Sequence, residues 1–305
     1  MSDAHVTERR LLVALAVALV AISTSAILIR LSAAPPTVAA FYRVLFTVAL
    51  LAPVTLARHR DDLRGIRRSD WVVAVAAGLA LAVHFAAWFE SLDWTSVAAS
   101  VTLVQTQPVV VAVGAVLFLD ERVTRGIAGG IAIALAGAVV LSLGDLLSGA
   151  AATGAWPAWG NALALAGAVT GGAYWLSGRS LRARLPLLPY VLVVYVTCVL
   201  ALFAFVLASG GPLVGYPPRE WLLFLGMAVG PGILGHTALN WTLGHLESSV
   251  VSVTLVGEPV GSALLALVVL GEVPGTWTLV GAPIVLAGIV LAVRGRRDSA
   301  GAAAG

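Results

Sequence analysis

Lysine is absent from this 305-residue sequence, cysteine occurs once, and charged residues of every kind make up only 11%. Each scarcity removes a class of protein. A water-soluble globular domain carries about 25% charged residues. A chain with so few, with 60% hydrophobic residues and a mean hydropathy of +0.99, belongs in lipid. The single Cys198 lies in an apolar run, which leaves neither a disulfide framework nor a cysteine metal cluster. All 18 basic residues are Arg. They give a pI of about 9.5, yet they are scattered between apolar stretches instead of forming a basic face, so no nucleic-acid partner is expected.

Catalytic signatures are missing as well. The chain has no G-x-S-x-G elbow, no H-E-x-x-H and no acidic metal cluster, which argues against an intramembrane enzyme. Without a Walker A motif, uphill movement of a cargo has to draw on an ion gradient, exchange or a partner. A receptor or sensor is disfavoured because the loops are short, the charged one at 58–70 being about thirteen residues.

What is present is a series of apolar runs, each near the roughly 20 residues that cross a bilayer as a helix. They predict ten helices, at 11–31, 37–57, 71–92, 97–119, 126–143, 158–177, 188–208, 220–243, 248–270 and 277–293. The first run is longer than the roughly 7–15-residue core of a signal peptide, so it is expected to be retained. Ala33-Ala34-Pro35-Pro36, Ser209-Gly210-Gly211-Pro212 and Pro217-Pro218 read as turns, and 58–70 as a charged loop. Trp71, Trp94, Trp156, Trp159, Trp221 and Trp277 fall at helix ends, as interfacial anchors do.

Arginine sets the orientation, because cytoplasmic loops retain positive charge. With the N-terminus inside, 15 of the 18 Arg fall in inner segments, Arg219 lies outside, and Arg30 and Arg43 fall within helices. The expectation is a multi-pass protein of the inner (cytoplasmic) membrane with both termini cytoplasmic.

The helices also repeat. Gln107-Pro108-Val109-Val110 running to Glu121 is echoed by Glu258-Pro259-Val260-Gly261 running to Glu272; adding 151 carries Pro108 to Pro259, Glu121 to Glu272, Gly130 to Gly281 and Gly137 to Gly288 without a gap. Five helices per half make the two copies run in opposite directions. This predicts an all-α membrane protein of ten transmembrane helices in two inverted repeats, the arrangement that permits alternating access. The expected units are 1–144, an outer linker 145–157, 158–297 and a disordered tail 298–305. Gly126/Gly130, Gly167/Gly171, Gly226/Gly230 and Gly257/Gly261 are G-x-x-x-G pairs, read as packing within the bundle rather than as a dimer signal.

These residues resemble the drug/metabolite transporter superfamily, in particular its EamA-like ten-helix members. The resemblance covers nearly the whole chain. It rests on Arg43 after Ala39-Ala40-Phe41-Tyr42, on Glu121-Arg122-Val123-Thr124 followed by Gly130, on Leu270-Gly271-Glu272-Val273-Pro274 followed by Gly281 and Gly288, and on Glu258-Pro259. It implies helices around a central cavity and a secondary transporter that moves small metabolites or toxic compounds, usually outward. It leaves the cargo open. The implied partners are a small-molecule substrate, the bilayer, and protons or an exchanged solute, with no cofactor; a lipid or nucleotide-sugar flippase is the alternative within transport.

Glu258 is the eleventh residue of its predicted helix, about 15 Å deep at 1.5 Å per residue. A charge there is costly, so the carboxyl should face the interior, be protonated or have a partner. Gln107 reaches the same level from the opposite side. One reading makes Glu258 a substrate or proton site with Gln107 hydrogen-bonding the cargo; the other has each side chain satisfy a backbone carbonyl freed by the following proline, or tie helices together. Arg43, about 9 Å in from the outer edge, either holds a cargo carboxylate, pairs with Glu258, or fixes its helix structurally. His84 and Trp88, and likewise His236 and Asn240, are four apart and share a helix face. They line the cavity or bond to neighbouring helices. Ser23, Thr24, Ser25, Tyr174 and Trp175 are further lining candidates, more simply read as packing. Glu121 and Glu272 are expected to hold the turns that follow them, near Thr124 and Thr276, and Arg30 to snorkel. Glu90, Asp93 and Glu247 are expected in solvent.

Overall fold

The computed structural model describes residues 7–94, 100, 103–121, 123–147, 156–270 and 276–302, and among these every regular element is helical. In chain order they are α1 (Glu8–Leu31), α2 (Pro36–Arg58), α3 (Arg60–Arg64), α4 (Arg68–Trp94), α5 (Gln107–Phe118), α6 (Arg125–Leu147), α7 (Pro157–Arg182) and α8 (Leu187–Ser209). Then come α9 (Pro218–Met227), a π-helical stretch (Ala228–Thr237), α10 (Ala238–Thr242), α11 (Ser248–Leu255), α12 (Glu258–Leu270) and α13 (Thr276–Ala302).

Six stretches are long and apolar enough to cross a membrane: Glu8–Ile29, Thr37–Arg58, Arg68–Ser91, Leu187–Ser209, Pro218–Thr242 and Ser248–Val269. Shorter apolar helices cover Gln107–Phe118, Arg125–Gly137 and Leu279–Ala292. Helix α7 is long, but its Thr170, Gly171, Gly172, Tyr174 and Trp175 dilute its apolarity. Exposed Val, Leu and Phe side chains such as Val72, Leu117, Phe118 and Val268 cover the outside, which is the surface a lipid environment selects.

Prolines shape the irregular points. Pro108 and Pro259 lack an N–H, and their rings would clash with the carbonyls of Val104 and Leu255, four residues back. The chain answers with turns at Gln105–Thr106 and Val256–Gly257, so the straight helices expected at 97–119 and 248–270 are each broken just before the proline. Pro231 works differently. Flanked by Gly230 and Gly232, it lies in the widened π stretch, where Thr237 Oγ1 donates to Gly232 O at 3.1 Å. Other differences from expectation are small: α3 forms within the charged loop, and α13 runs on to Ala302, into the stretch expected as a tail.

The two halves pack by exchanging partners. Helix α4 lies on α7, as α1 lies on the π stretch; α4 also meets α8, as the π stretch meets α2; α5 lies on α7, as α12 lies on α1. Helices α6 and α13 pair along their length. Their contact is backbone to backbone: a Cβ at Gly130 would sit 2.5 Å from Ala292 N, and one at Gly288 would collide with Ala134 N. All the G-x-x-x-G glycines meet residues of this same bundle.

Side-chain ties define two ends. At one, Arg184 bonds Asp70 at 2.8 Å, Arg182 Nε donates to Asn240 O at 3.1 Å, and Arg179 donates to Leu243 O at 2.9 Å. Those two arginines cap the closing carbonyls of α10, where the helix dipole favours cations. At the other end, Glu220 accepts from Ser32 Oγ at 2.5 Å and from Ala33 N at 3.0 Å, joining the close of α1 to the start of α9. Helix α4 thus starts at the arginine-rich end, and α9 starts at the opposite one.

Candidate functional site

Where the half-chains meet, α1, α2, α4, α7, the π stretch and both broken helices enclose a cavity of about 40 Å³. That volume holds a few waters. Arg43, His84, Trp88, Gln107, His236 and Glu258 all line it. Of the residues expected from sequence to bind cargo, only Asn240 stands outside the lining. It sits behind the wall instead, donating from Nδ2 to Tyr174 OH at 2.5 Å and to His236 O at 2.8 Å, so it holds the lining residue Tyr174 in place.

Arg43 is only 5% exposed. Its guanidinium donates to Ser25 Oγ at 3.3 Å and lies 4.9 Å over the Phe85 ring, a cation–π contact. It makes no ion pair with Glu258, although both line the same space. The Glu258 side chain has no hydrogen-bond partner among the described residues, while its backbone carbonyl accepts from Ser23 Oγ at 3.4 Å. Of the two readings open for Glu258, the one in which its carboxyl satisfies the carbonyl freed by Pro259 finds no such bond among the described residues.

Gln107 does what Glu258 does not. Its Nε2 donates to Val104 O at 3.2 Å, the carbonyl that Pro108 strips of its helical partner. That contact ties Gln107 to its own broken helix, and the remaining amide oxygen lies so near Gly171 that a Cβ there would displace the Gln107 side chain. Gly171 lets α7 pass beside Gln107 and His84 without displacing either side chain.

His84 Nδ1 donates to Gly167 O at 2.8 Å, which fixes the tautomer and leaves Nε2 as the acceptor. His236 is held by rings. It stacks on Trp175 at 5.5 Å and 26°, and it meets Phe85 at 5.8 Å. Buried polar atoms without partners cluster here: His236 Nδ1, Trp88 Nε1 and Gln105 Oε1. Buried polar groups are normally satisfied by protein or ordered water, so these atoms have bonding capacity left for water or a ligand.

Sequence reasoning missed Gln105 and Phe85. Gln105 enters because the break before Pro108 releases it from helical rotation; in an unbroken helix it would point about 200° away from Gln107. Phe85 has a usable signal, since it lies 151 residues before His236. Ser25, Tyr174 and Trp175 line the cavity, whereas Ser23 packs on α12 and Thr24 bonds Ala21 O.

Glu121 departs from expectation. Asp120, with φ of 53°, turns the chain left-handed, and the Glu121 carboxylate reaches across the bundle instead of holding its own turn. It bonds Arg179 at 2.6 Å, Ser248 Oγ at 2.7 Å and Ser248 N at 3.1 Å, while the Thr124 hydroxyl accepts from Ile127 N at 3.2 Å. Glu90 accepts from Trp94 Nε1 at 2.8 Å rather than standing in solvent. Glu272 and the side chains of Arg30 and Asp93 lie outside the described residues.

Comparison with known proteins adds the family. No curated protein matches the chain. Among 29 matching solved chains, one described only as a crystal structure of a protein has a TM-score of 0.78 and 23% identity, covering 95% of this chain and 99% of its own. That likeness speaks for the fold alone. The model of the EamA-like transporter family matches residues 10–143 and again 158–294, nearly the full length in two copies, so the chain belongs to that family.

Proposed function

We propose that this membrane transporter is a secondary exporter of a small metabolite or toxic compound, working by alternating access around the Arg43–Glu258 cavity. The observation that carries the reading is the pair of opposite charges left unpaired with each other at the centre of an apolar bundle. Intramembrane ionisable groups are costly and are retained for function. Arg43 offers donors to an anionic group, Glu258 accepts a cationic group or a proton, and Trp88, Trp175 and His236 supply flat walls.

The opposite directions of α4 and α9, together with the exchanged packing partners, favour ten spans in two inverted five-helix repeats. A cavity this small cannot take a metabolite without helix movement, as an occluded state of such a cycle requires. The distribution of arginine favours both termini on the cytoplasmic side of an inner membrane.

The test is flux of candidate metabolites in proteoliposomes with and without an imposed pH gradient. Gradient-dependent flux that is lost in Glu258→Gln at equal reconstitution supports the proposal. Wild-type rate and pH dependence in that variant would return Glu258 to a structural role.

A further inference from the structure

A groove of about 740 Å³ opens on the outside of the bundle at the arginine-rich end, between α1, the start of α8 and the π stretch. Arg9, Arg10, Val13, Leu187, Leu234 and Trp241 line it. We propose that it binds one anionic phospholipid, with the phosphate on the Arg9 and Arg10 guanidiniums and an acyl chain along Val13 and Leu234.

Charge complementarity selects this occupant. The groove is apolar along its length and basic at the N-terminal turn of α1, and neither arginine is ion-paired among the described residues. Glu8, the acid of that turn, does not line it. Basic pockets between transmembrane helices favour anionic headgroups, and tryptophan sits at headgroup level.

Two other grooves show the contrast. One, of about 540 Å³, also has two arginines, Arg60 and Arg64, but Asp61 and Asp62 lie between them in α3 and Arg64 bonds Asp61 at 3.4 Å. The other, at the opposite end, is lined by Phe46, Tyr216 and Trp221 and carries no arginine. Of these three grooves, only the first joins an apolar channel to two arginines without an ion pair among the described residues.

The position matters for the cavity. Ile233, Leu234 and Thr237 face the groove while Pro231 and His236, from the same π stretch, face the central site. A lipid seated there lies against the back of the segment that carries His236.

Native mass spectrometry of the full-length protein in detergent tests this, titrating phosphatidylglycerol against phosphatidylcholine of identical chains. Phosphatidylglycerol should bind more tightly, and R9Q/R10Q should reduce that preference by about 30-fold, the factor two guanidiniums at a headgroup supply. R60Q/R64Q should leave it unchanged. Leu234→Trp, which fills the channel, should weaken binding of both lipids. Equal affinity for the two lipids in the wild type overturns the proposal, as does an R9Q/R10Q protein that keeps the preference. Displacement of the lipid by millimolar glycerol phosphate would show a headgroup-only site and overturn it too. None of these readouts depends on transport.

Discussion

Phe85 and His236 stand 151 residues apart in the chain and meet at the centre of the bundle, their ring centroids 5.8 Å apart and their planes inclined at 51°. Their separation is the repeat offset itself. Val104 and Leu255 share that offset, as do Gln107 and Glu258, and all six residues line one cavity. The duplication has placed equivalent positions around one cavity and then let them diverge: amide in one half and carboxylate in the other, benzene ring in one and imidazole in the other. Arg43 has no such counterpart, since adding 151 gives Val194. The charged chemistry of the site is therefore unequal between the two copies of a duplicated chain.

Glu258→Gln is expected to fold and insert normally, because its carboxyl makes no hydrogen bond within the described structure whose loss would cost stability. It should abolish pH-dependent flux if Glu258 carries the coupling proton. Loss of all flux, in a protein whose wild type shows no pH sensitivity, would assign Glu258 to direct substrate binding.

Arg43→Lys should lose transport despite keeping the charge. Lysine cannot reproduce both the Ser25 bond and the planar stacking over Phe85. Phe85→Leu, which removes only the ring contact, should weaken apparent affinity by about 2- to 30-fold, since a cation–π contact is worth about 0.5–2 kcal/mol. Equal flux in wild type and Arg43→Lys would show that a point charge suffices.

Glu121→Gln should loosen the arginine-rich end. Hydrogen bonds to charged groups contribute about 1.5–3 kcal/mol each, and the carboxylate makes them to Arg179 and to Ser248. The expected readout is faster thiol labelling of a cysteine placed at Gln105, from that side of the membrane. Combining Glu121→Gln with Arg179→Gln should cost less than the sum of the two, whereas strict additivity in that cycle would show that the bond contributes nothing.

Gly130→Ala should lower the thermal midpoint, because the new methyl group must push α6 from α13; overpacking of this kind costs about 1–3 kcal/mol. Gly129→Ala, whose Cβ would meet only the tip of Leu291 at 3.8 Å, is the control and should be neutral.

A cysteine introduced at Gly65 should label from the cytoplasmic side of intact membranes. Labelling from the opposite side would invert the orientation drawn from arginine distribution.

Much of this could be read directly from the chain. The length of each apolar run, the arginines between them and the 151-residue offset are local properties, and helices in lipid must satisfy their own backbone hydrogen bonds whatever surrounds them. Class, helix positions and the duplicated layout follow from these. Contacts across the bundle do not, because they depend on how each helix is rotated and where it breaks. The turn before Pro108 swung Gln105 into the cavity and gave Gln107 a carbonyl to satisfy; Pro231 widened a helix that hydropathy alone drew as straight. A left-handed Asp120 sent Glu121 to another helix, and close packing at Gly130 and Gly288 fixed the register of α6 on α13. Residue spacing placed Asn240 on the face of His236, but only tertiary packing decided that one would stand behind the wall and the other form it.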